Sequence, residues 1–523
     1  MPSESSLPAW PPQELIEATR CASVTGDARD YALSHGLVYR ALPAEKGGVP
    51  PQDTTIHAPI TLLPTPFPRF LFNKAQELQP LYNQLYARLA LDEQFIKSIM
   101  ESSVVHVDEF QAKLYEIWRT VLDEGLTQDA QLGLFRSDYL MHSSAEAGLE
   151  LKQVEFNTIS ASFGPLCTRT SQLHHFLLHK GAYEALSPVL RKENMPKNEA
   201  LTTLGAGLAD AHNYYVHESR DAQHAVKPAI LFVVQGDERN TFDQRAIEME
   251  LMAEHGIPVI RATLEDLSTT ASLHGNERVL VLQSPVSHAP IEISVVYFRT
   301  GYSPEDYSTD KAWDVRLMLE RSHAIKCPTI ALQLVGSKKA QQVLAEPGVL
   351  EKYIGHDADQ LRLSFAQLWP MDPKTDLGKE AIRLAREEPH NYVLKPQREG
   401  GGHNIYKDDI PAALDAMEKR DKERAARGED SVVKECEGYI LMSLINVPPN
   451  RGNLLLRAGH SVPAAEHIKD TVSELGVYGT TLFTPSDVIE DRSGGYLLRT
   501  KAKESDEGGV AVGFSVIDTP VLV

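Results

Sequence analysis

Apolar residues recur along this chain in two patterns that predict different elements. Leu81, Leu85 and Leu89 fall at intervals of four, and this spacing places them on one face of a long helix. Between residues 228 and 299, short apolar runs flank a polar, helix-like segment at 243–255. Strand, helix and strand in this order are typical of a parallel sheet whose strands are joined by helical crossovers.

The apolar runs of the middle and C-terminal parts have the length of strands. They predict strands at 228–235, 256–262, 278–283, 293–299, 391–396, 438–445, 453–459, 478–483 and 495–502. Polar segments at 235–240 and 299–302 directly follow two strands of the middle part. Ligands of parallel sheets bind beyond the carboxyl ends of the strands, so we expect these two segments to contact a ligand.

Composition and charge narrow the class of protein. The chain has 523 residues, enough for two or three structural units, and 42% of them are hydrophobic. Its net charge of −20 argues against broad nucleic-acid binding, which requires a basic face. No apolar run is long enough for a transmembrane helix, and the N-terminus lacks the features of a secretory signal. The four cysteines are widely spaced, which predicts buried free thiols in a reducing cytosol.

The strongest local signal is the segment LKPQREGGGHNIY at 394–406. Its three glycines at 400–402 let a ligand approach the backbone closely, and their N–H groups can form a concave anion site. Lys395 adds a positive charge before the loop, and Glu399 could bring a magnesium ion to the same phosphates. A flexible hairpin tip is the alternative, but the flanking lysine and carboxylate favour phosphate binding. The segment matches neither the P-loop nor the GxGxxG pattern.

A second candidate is VEFNTISASFG at 154–164. Because side chains alternate along a strand, Glu155 and Asn157 should face the same way. A carboxylate and an amide oxygen together suit a hard metal ion. Ser160 and Ser162 continue the period of two and add hydroxyl groups. Taken alone, the segment is better explained as a half-exposed strand with a polar face.

Cations mark several further segments. In GYLLRTKAKESDEGGVAVG (495–513), Arg499 and Lys501 share a strand face ahead of an acidic loop that ends in two glycines. Two cations beside such a loop suit a carboxylate or phosphate ligand under a closing lid, whereas the alternative is an edge strand with solvated cations. Three more segments place an arginine beside polar or turn residues, namely RSDY (136–139), ERNTFDQR (238–245) and FRTGY (298–302). Arginine forks bind carboxylates in a bidentate manner, although each one alone is more often a surface salt bridge.

These segments occur together, and in the same order, in one known family. The chain resembles the eukaryotic-type glutathione synthetases of the ATP-grasp superfamily through LFRSDY, VEFNTISASFG, QGDERNTFDQR, YFRTGY, QLVGSKKAQQ, LKPQREGGGHN, SELGVYG and LLRTKA followed by GGVA. The resemblance runs from about residue 64 to the C-terminus. So many ordered matches are highly specific, whereas one glycine-rich loop would not be.

The resemblance implies an α/β protein with an ATP-grasp fold, an inserted parallel-sheet substrate-binding domain and a glycine-rich lid. It implies a helical N-terminal part with the first portion of the ATP-grasp body at 1–226, the inserted domain at 227–337, and the C-terminal part with the lid at 338–523. It further implies an ATP-dependent peptide ligase that joins γ-glutamylcysteine to glycine through an acyl phosphate, giving glutathione, ADP and phosphate. ATP and Mg²⁺ are the implied co-substrate and metal, and a cytoplasmic homodimer is expected.

The resemblance also implies roles for individual positions. The implied magnesium ligands are Glu155, Asn157 and Glu399. The implied ATP contacts are Glu155, Lys338, Lys395, Pro396, Gln397, Arg398, Glu399, Gly400, Gly401, Gly402, His403, Asn404, Tyr406, Met442, Ser443, Leu444, Ile445, Glu474, Lys501 and Glu507. The implied substrate contacts are Arg136, Ile159, Ser160, Ala161, Ser162, Glu238, Arg239, Asn240, Gln244, Arg299, Thr300, Gly301, Tyr302, Arg499, Val510 and Ala511. The implied catalytic residues are Arg136, Arg499, Lys395, Gly400 and Gly401.

Other functions stay open at this point. A related ATP-grasp ligase could use another small acceptor, such as β-alanine or serine, because a pocket excludes one added methylene only ~10- to 200-fold. A regulatory homologue could bind nucleotide without turnover, but the intact Glu155, Asn157, Glu399, Lys395 and Arg499 argue against it. A hydride-transfer enzyme is disfavoured because no GxGxxG follows the first strand of the middle part.

Overall fold

Helices and strands of this protein combine into several sheets with helices packed on them, a mixed α/β architecture. The computed structural model describes residues 7–43, 48–218, 228–283, 289–398, 403–429, 433–448, 452–458, 465–505, 510, 513 and 515–523. Among the helices in these ranges, none combines the length and the apolarity that crossing a membrane requires.

The helices vary from one turn to more than six turns. In chain order they are α1 (Gln13–Ile16), α2 (Ala18–Ser34), α3 (Arg69–Leu91), α4 (Glu93–Ile99), α5 (Val105–Val107), α6 (Glu109–Glu124), α7 (Gly164–His179), α8 (Ala200–Glu218), α9 (Thr241–His255), α10 (Leu264–Thr270), α11 (Asp310–Arg321), α12 (Ile330–Val335), α13 (Lys338–Leu344), α14 (Val349–Ile354), α15 (Ala358–Arg362), α16 (Asp376–Glu387) and α17 (Asp409–Ala426). The helix predicted from the spacing of four is confirmed as α3, in which Leu85 and Leu89 are buried and Leu81 packs against the core.

Strands occur at all the positions that the apolar runs predicted. In chain order they are β1 (Val38–Arg40), β2 (Thr55–His57), β3 (Ile60–Thr61), β4 (Thr65–Phe67), β5 (Gln131–Ser144), β6 (Gly148–Asn157), β7 (Ala229–Val233), β8 (Val259–Ala262), β9 (Ala271–His274), β10 (Val279–Gln283), β11 (Pro290–Phe298), β12 (Ile325–Cys327), β13 (Leu368–Pro370), β14 (Tyr392–Pro396), β15 (Ile405–Tyr406), β16 (Tyr439–Ser443), β17 (Asn453–Leu456), β18 (Glu466–Ile468), β19 (Thr471–Phe483), β20 (Val488–Ala502), β21 (Val516–Asp518) and β22 (Pro520–Leu522). Both β19 and β20 begin seven residues before their predicted starts, and they form one long antiparallel hairpin.

The largest sheet joins strands from both halves of the chain. Its order is β18-β17-β3-β21-β20-β19-β5-β6. Antiparallel pairing of β19 with β5 sets Tyr478 opposite Arg136, and pairing of β5 with β6 sets Arg136 opposite Asn157. Helix α3 packs on this sheet, where the rings of Tyr86 and Phe156 stack with centroids 3.9 Å apart. The packing fixes β6, which carries two of the three predicted metal ligands, Glu155 and Asn157.

The middle part of the chain forms a mixed sheet, so the expectation of a parallel sheet holds for only four of the six strands that the structure describes there. Strands β8, β7, β11 and β12 are parallel, but β10 and β9 run antiparallel to their neighbours in the order β8-β7-β11-β10-β9. Only residues 284–289 separate β10 from β11. A helical crossover needs a dozen or more residues, so these two strands can only pair as antiparallel neighbours. The predicted divisions at 226/227 and 337/338 stay a prediction.

A small sheet forms the remaining framework of the site. Its order is β13-β16-β14-β15, and helices α16 and α17 pack on it through a core that includes Leu394, Leu414 and Leu441. Strand β14 carries Lys395 at its end, and β16 leads into the predicted nucleotide-binding segment 442–445. The small sheet therefore places two predicted site segments side by side.

Candidate active site

A cavity of about 980 Å³ lies where the large sheet, the small sheet and the end of β11 meet. Most of the site residues predicted from the sequence line it. These are Arg136, Glu155, Asn157, Ile159, Ser160, Ala161, Ser162, Glu238, Arg299, Tyr302, Lys338, Lys395, Pro396, Arg398, His403, Asn404, Tyr406, Met442, Ser443, Leu444, Ile445, Glu474, Arg499, Lys501 and Val510. Segments that are distant in the chain therefore meet around one cavity.

Asp138 joins two arginines of the cavity wall. Arg136 donates from Nε to Oδ1 of Asp138 over 2.6 Å and from Nη2 to Oδ2 over 2.8 Å. Arg499 donates from Nη2 to the same Oδ2 over 3.1 Å, and also to the carboxylate of Glu474. Strand register explains the meeting, because Glu474 pairs with Arg499 and Gly476 pairs with Asp138. A Cβ at Gly476 would lie 2.7 Å from Oδ1 of Asp138, so the glycine leaves room for this carboxylate.

Glu155 is surrounded by positive charge. The ammonium group of Lys338 lies 2.9 Å from its Oε2, and Lys395 donates to the neighbouring carbonyl of Val154 over 3.0 Å. Burial raises the pKa of the Glu155 carboxyl, but the charges of Lys338, Lys395 and Arg499 outweigh burial and hold the pKa well below its usual value. Glu155 is therefore a carboxylate at neutral pH, which is the form that binds a metal ion.

Glu474 differs from Glu155 although both line the same wall. Burial raises the pKa of Glu474, and the nearby carboxylates of Asp138 and Glu155 add to the increase, against the lowering influence of Arg499. The negative charge of Glu474 therefore depends on its contact with Arg499.

The predicted metal position is only partly within the described residues. Asn157 donates its Nδ2 to the carbonyl of Arg136 and to Oδ2 of Asp138, both over 3.1 Å, so its amide oxygen is directed away from Asp138. Among the described residues, no group of three or more His, Cys, Asp or Glu side chains could hold a metal ion. The pair of Glu155 and Asn157 nevertheless suits Mg²⁺, which binds through one or two protein oxygens together with phosphate oxygens.

The loop after β6 is held by hydrogen bonds to its backbone. Ser160 adopts a φ of 53° and donates its hydroxyl to the carbonyl of Phe298 over 3.0 Å. The carbonyl of Ser162 accepts from Nη1 of Arg136 over 3.2 Å and from the hydroxyl of Tyr478 over 2.6 Å. The predicted substrate loop is thus fixed from β11 on one side and from β5 and β19 on the other.

Arg299 ties the end of β11 to the same loop. Its Nη1 donates to the carbonyl of Ala161 over 3.0 Å, and its guanidinium lies 3.7 Å from Asp243. Asp243 also accepts from the backbone N–H of Phe163 over 2.9 Å. Burial raises the pKa of Asp243 against the lowering influence of Arg299. The contacts lock together α9, β11 and the loop after β6.

The turn after β11 is organised by Asp306. Its Oδ2 accepts from the backbone N–H groups of Gly301 and Tyr302 over 2.9 and 3.1 Å. Gly301 has a φ of 87°, which suits glycine, and its carbonyl accepts from Gln333 over 2.8 Å. The turn directs Tyr302 into the cavity wall.

Six predicted contact residues do not line the cavity. They are Gln397, Arg239, Asn240, Gln244, Thr300 and Gly301. Gln397 accepts from the backbone N–H of Lys339 over 2.9 Å, and Gln244 accepts from Arg261 over 2.7 Å. In this structure the side chains of Gln397 and Gln244 are therefore engaged with other parts of the protein.

Several predicted residues fall outside the described ranges. They are Glu399, Gly400, Gly401, Gly402, Glu507 and Ala511. The roles of these residues stay predictions. Arg398 and His403, which border the glycine loop, and Val510 all line the cavity.

Backbone groups on the small-sheet side are partly engaged within the protein. The N–H of Ser443 donates to the carbonyl of Gln367 over 3.0 Å, and the N–H of Leu444 donates to the carbonyl of Asn391 over 2.8 Å. A purine base bound along 442–445 would therefore use other backbone groups of this segment.

Fifteen residues that line the cavity were not predicted from the sequence. The missed lining residues are Leu140, Val154, Phe163, Gln367, His390, Asn391, Tyr392, Val393, Lys407, Asn446, Val447, Val472, Lys503, Ser505 and Ser515. The sequence interpretation also missed Asp138 and Asp243, which anchor arginines of the site. The alternation of side chains on a strand was an available signal, because Asp138 follows Arg136 by two positions.

Comparisons with known proteins bear on this site. The chain matches the family model of the eukaryotic glutathione synthase ATP-binding domain over residues 18–522. It is 39% identical to the glutathione synthetase of Homo sapiens over 514 residues, which cover 98% of each chain. It is 36% identical to the glutathione synthetase large chain of Schizosaccharomyces pombe over 508 residues, which cover 94% of this chain and 96% of the relative. A solved glutathione synthetase-like effector from Globodera pallida shares the fold, with a TM-score of 0.71, 24% identity and 98% of each chain covered.

These similarities extend over the whole cavity. The residues matched by the family model include every segment that lines it. The matched relatives are glutathione synthetases. The similarity to them does not favour a ligase with another acceptor or an inactive homologue. The chain is an ATP-dependent ligase, and it belongs to the eukaryotic glutathione synthetase family.

Proposed function

We propose that this chain joins γ-glutamylcysteine to glycine with ATP and releases glutathione, ADP and phosphate. One observation carries the proposal: Arg136, Arg499, Lys338 and Lys395 line one cavity together with the ionised carboxylate of Glu155. A cavity with this charge pattern suits a triphosphate, a carboxylate substrate and a metal ion at the same time.

The reaction consists of two displacements. In the first, a carboxylate oxygen of γ-glutamylcysteine attacks the γ-phosphorus of ATP, and the bond to the bridging oxygen breaks with its electron pair on ADP. In the second, the amine nitrogen of glycine attacks the acyl carbon, the bond to phosphate breaks with its electron pair on the phosphate, and the amine releases a proton to water. Neither step needs a nucleophile from the protein, so catalysis consists of positioning and charge neutralisation.

The cations of the wall suit these two steps. We assign Lys338 and Lys395 to the phosphates of ATP, because both lie beside Glu155. We assign Arg136 and Arg499 to the substrate carboxyl group, because guanidinium forks bind carboxylates in a fixed geometry. Burial of Arg136 and partial burial of Arg499 strengthen such contacts, since screening by water is reduced.

Magnesium would be held by Glu155, Asn157 and Glu399 in this proposal. Glu155 is ionised, and Asn157 directs its oxygen away from the Asp138 carboxylate, so the two described ligands fit a hard cation. The bound ion would neutralise phosphate charge in the transition state. The glycines at 400–402 would cover the phosphates with backbone N–H groups as the lid of an ATP-grasp fold.

We also propose a cytosolic homodimer. The family resemblance supports the dimer, and the free thiols of Cys21, Cys167, Cys327 and Cys436 suit a reducing compartment. Light scattering after gel filtration tests the dimer directly, because a mass near 58.0 kDa would indicate a monomer.

A coupled assay for ADP release tests the proposed reaction. Continuous ADP release should require ATP, Mg²⁺, γ-glutamylcysteine and glycine together, and glutathione should accumulate in equal amount. Faster turnover with β-alanine or serine than with glycine would instead support a related ligase. Nucleotide binding without ADP release would support an inactive homologue.

A further inference from the structure

The carboxylate of Asp138 is a buried junction within the cavity wall. The residue is fully buried, and its two oxygens accept hydrogen bonds from Arg136, Arg499 and Asn157. Side chains from three strands of the large sheet therefore converge on it, because Arg136 shares β5 with Asp138, Arg499 comes from β20 and Asn157 ends β6.

We propose that Asp138 is the positioning residue that orients both arginines and the amide of Asn157 at once. One carboxylate would thereby couple the substrate-binding side of the site to the metal-binding side. The inference rests on the proposed function, since it takes over the roles assigned there to Arg136, Arg499 and Asn157.

The contact with Asp138 fixes the orientation of the Arg136 guanidinium, and the three hydrogen bonds described here use three of its five N–H donors. Two of its nitrogens, Nε and Nη2, donate to Asp138, and the third, Nη1, donates to the carbonyl of Ser162. The side chain is only 6% exposed. Removing one partner of a buried ion pair leaves an uncompensated charge, so Arg136 would not keep this position without Asp138.

The contact with Arg499 fixes a direction but leaves part of the guanidinium available. Within the part of the chain that the structure describes, the hydrogen bonds of Arg499 all leave from Nη2, toward Asp138 and Glu474. Its Nε and Nη1 thus remain for an anionic ligand in the cavity. Asp138 also offsets the repulsion between Arg136 and Arg499, which contact the same oxygen.

The hydrogen bond between Asn157 and Asp138 fixes one orientation of the Asn157 side-chain amide. A carboxylate is only an acceptor, so it can face the NH₂ group of Asn157 but not the amide oxygen. The hydrogen bond to Oδ2 of Asp138 and the second one to the carbonyl of Arg136 both use Nδ2. An amide at position 138 could face either end of Asn157, and the metal ligand would lose its unique orientation.

The variant Asp138→Asn tests this role with little change in volume. We expect kcat to fall by at least ~10-fold and the half-saturating Mg²⁺ concentration to rise by at least ~3-fold, in line with the ~10- to 100-fold effects of groups that orient metal ligands. The matched control is Asp491→Asn, which changes an exposed carboxylate on β20 that accepts from Asn83 and does not line the cavity. This control should stay within about twofold of the parent in both quantities.

A double-variant background separates positioning from a merely structural role. If Asp138 acts through the two arginines, Asp138→Asn should change kcat much less in an Arg136→Gln/Arg499→Gln background than in the parent. If the effects of Asp138→Asn and of the arginine substitutions on kcat simply multiply, the inference is overturned. If Arg136→Gln and Arg499→Gln leave kcat unchanged, the roles proposed for the two arginines are wrong. If both variants lower kcat and Asp138→Asn does not, the arginine roles stand and only the inference about Asp138 is wrong.

Gly476→Ala provides a second route in case Asp138→Asn does not fold. Its new Cβ would press on Oδ1 of Asp138 and on Cδ of Arg136, at 2.7 and 2.8 Å, without removing any charge. The same fall in kcat and rise in Mg²⁺ requirement should follow. Gly26→Ala on α2, where a Cβ meets nothing within 4 Å, is the control. Unchanged kinetics of a folded Gly476→Ala enzyme would contradict the role of this carboxylate.

Discussion

Lys338 and Glu155 form an ion pair of 2.9 Å between the first residue of α13 and the end of β6. Each of the two residues has a proposed ligand of opposite charge, a phosphate for Lys338 and Mg²⁺ for Glu155. The ion pair compensates both charges when no ligand is bound, which matters most for the ammonium group of Lys338, because its side chain is only 6% exposed. Binding of Mg²⁺-ATP would thus exchange one set of ionic contacts for another.

Loss of the carboxylate at Glu155 should impair the use of magnesium. For Glu155→Gln we expect turnover to fall by ~10- to 100-fold and the half-saturating Mg²⁺ concentration to rise, because an amide is a weaker ligand of a hard cation. Glu150→Gln on the same strand is the control, since Glu150 pairs with Lys152 at 3.7 Å and does not line the cavity. Equal Mg²⁺ dependence of the two variants would remove Glu155 from the metal site.

Removal of the Lys338 charge should shift the acidic limb of the pH profile. This ammonium group helps to hold the pKa of Glu155 below its usual value, so Lys338→Met should raise that pKa. Activity at low pH should then decline at a higher pH than in the parent enzyme, and the KM for ATP should rise. The measurement is kcat/KM for ATP between pH 4 and 8, with Lys352→Met as a control because that lysine is exposed and pairs with Asp92. A profile that does not move would mean that Lys338 does not control Glu155.

Arg499 should act on the chemical step rather than on nucleotide binding. Deletion of a single charge-stabilising donor typically lowers kcat by ~10²- to 10³-fold, so we expect a loss of this order for Arg499→Ala, or a higher requirement for glycine. Arg492→Ala changes an exposed arginine of the same strand, which pairs with Asp210, and should leave kcat unchanged. A defect of Arg499→Ala that is confined to ATP affinity would contradict the assignment of Arg499 to the substrate carboxyl group.

Asp518 is a buried carboxylate next to the same wall. It accepts from the hydroxyl groups of Thr61, Thr65 and Thr500 over 2.7, 2.5 and 2.6 Å, and β21 pairs it with Leu498. Burial raises the pKa of Asp518 from 3.8 to about 6, against these hydrogen bonds. The folded protein therefore holds this proton to a higher pH than the unfolded chain does.

Asp518 should make the protein less stable as pH rises from about 4 to about 6. In that window the folded state binds more protons than the unfolded state, so the free energy of unfolding falls with increasing pH. A pKa difference of roughly two units, at ~1.4 kcal/mol each, gives a loss of roughly 3 kcal/mol that is complete above about pH 6.

Thermal unfolding of Asp518→Asn measures this contribution. The melting temperature of the variant minus that of the parent should increase between pH 4 and 6 and then level off, because the amide cannot ionise. Asp376→Asn, at a fully exposed position of α16, should show a difference that does not vary with pH. The same flat result for Asp518→Asn would show that this carboxyl does not titrate as expected.

The sequence predicted the individual segments of the site more accurately than it predicted the contacts between them. The period of two placed Glu155 and Asn157 on one face of β6, and both line the cavity. The same reasoning could have found Asp138 beside Arg136. It could not have joined Asp138 to Arg499, because these residues are 361 positions apart and meet only through the strand order β20-β19-β5.

The pattern of apolar residues also could not predict the direction of the strands. Apolar runs identified β10 and β11, but a run of apolar residues has the same composition in a parallel and an antiparallel pair. The length of the connection decided the direction, and residues 284–289 are too few for a crossover. Likewise, the position of Gln397 in a ligand-like motif could not reveal that its side chain turns back to the first turn of α13.

The place of β19 and β20 between β21 and β5 has a consequence for biosynthesis. These strands leave the ribosome only after β5, β6 and the segment around Lys395, and domains form as the chain emerges from its N-terminal side. Until then, one edge of β5 has no partner, and unpaired strand edges promote association between chains. A polypeptide that stops before residue 471 would thus carry Glu155 and Lys338 yet lack Arg499. A nascent chain would depend on protection from aggregation until translation is nearly finished.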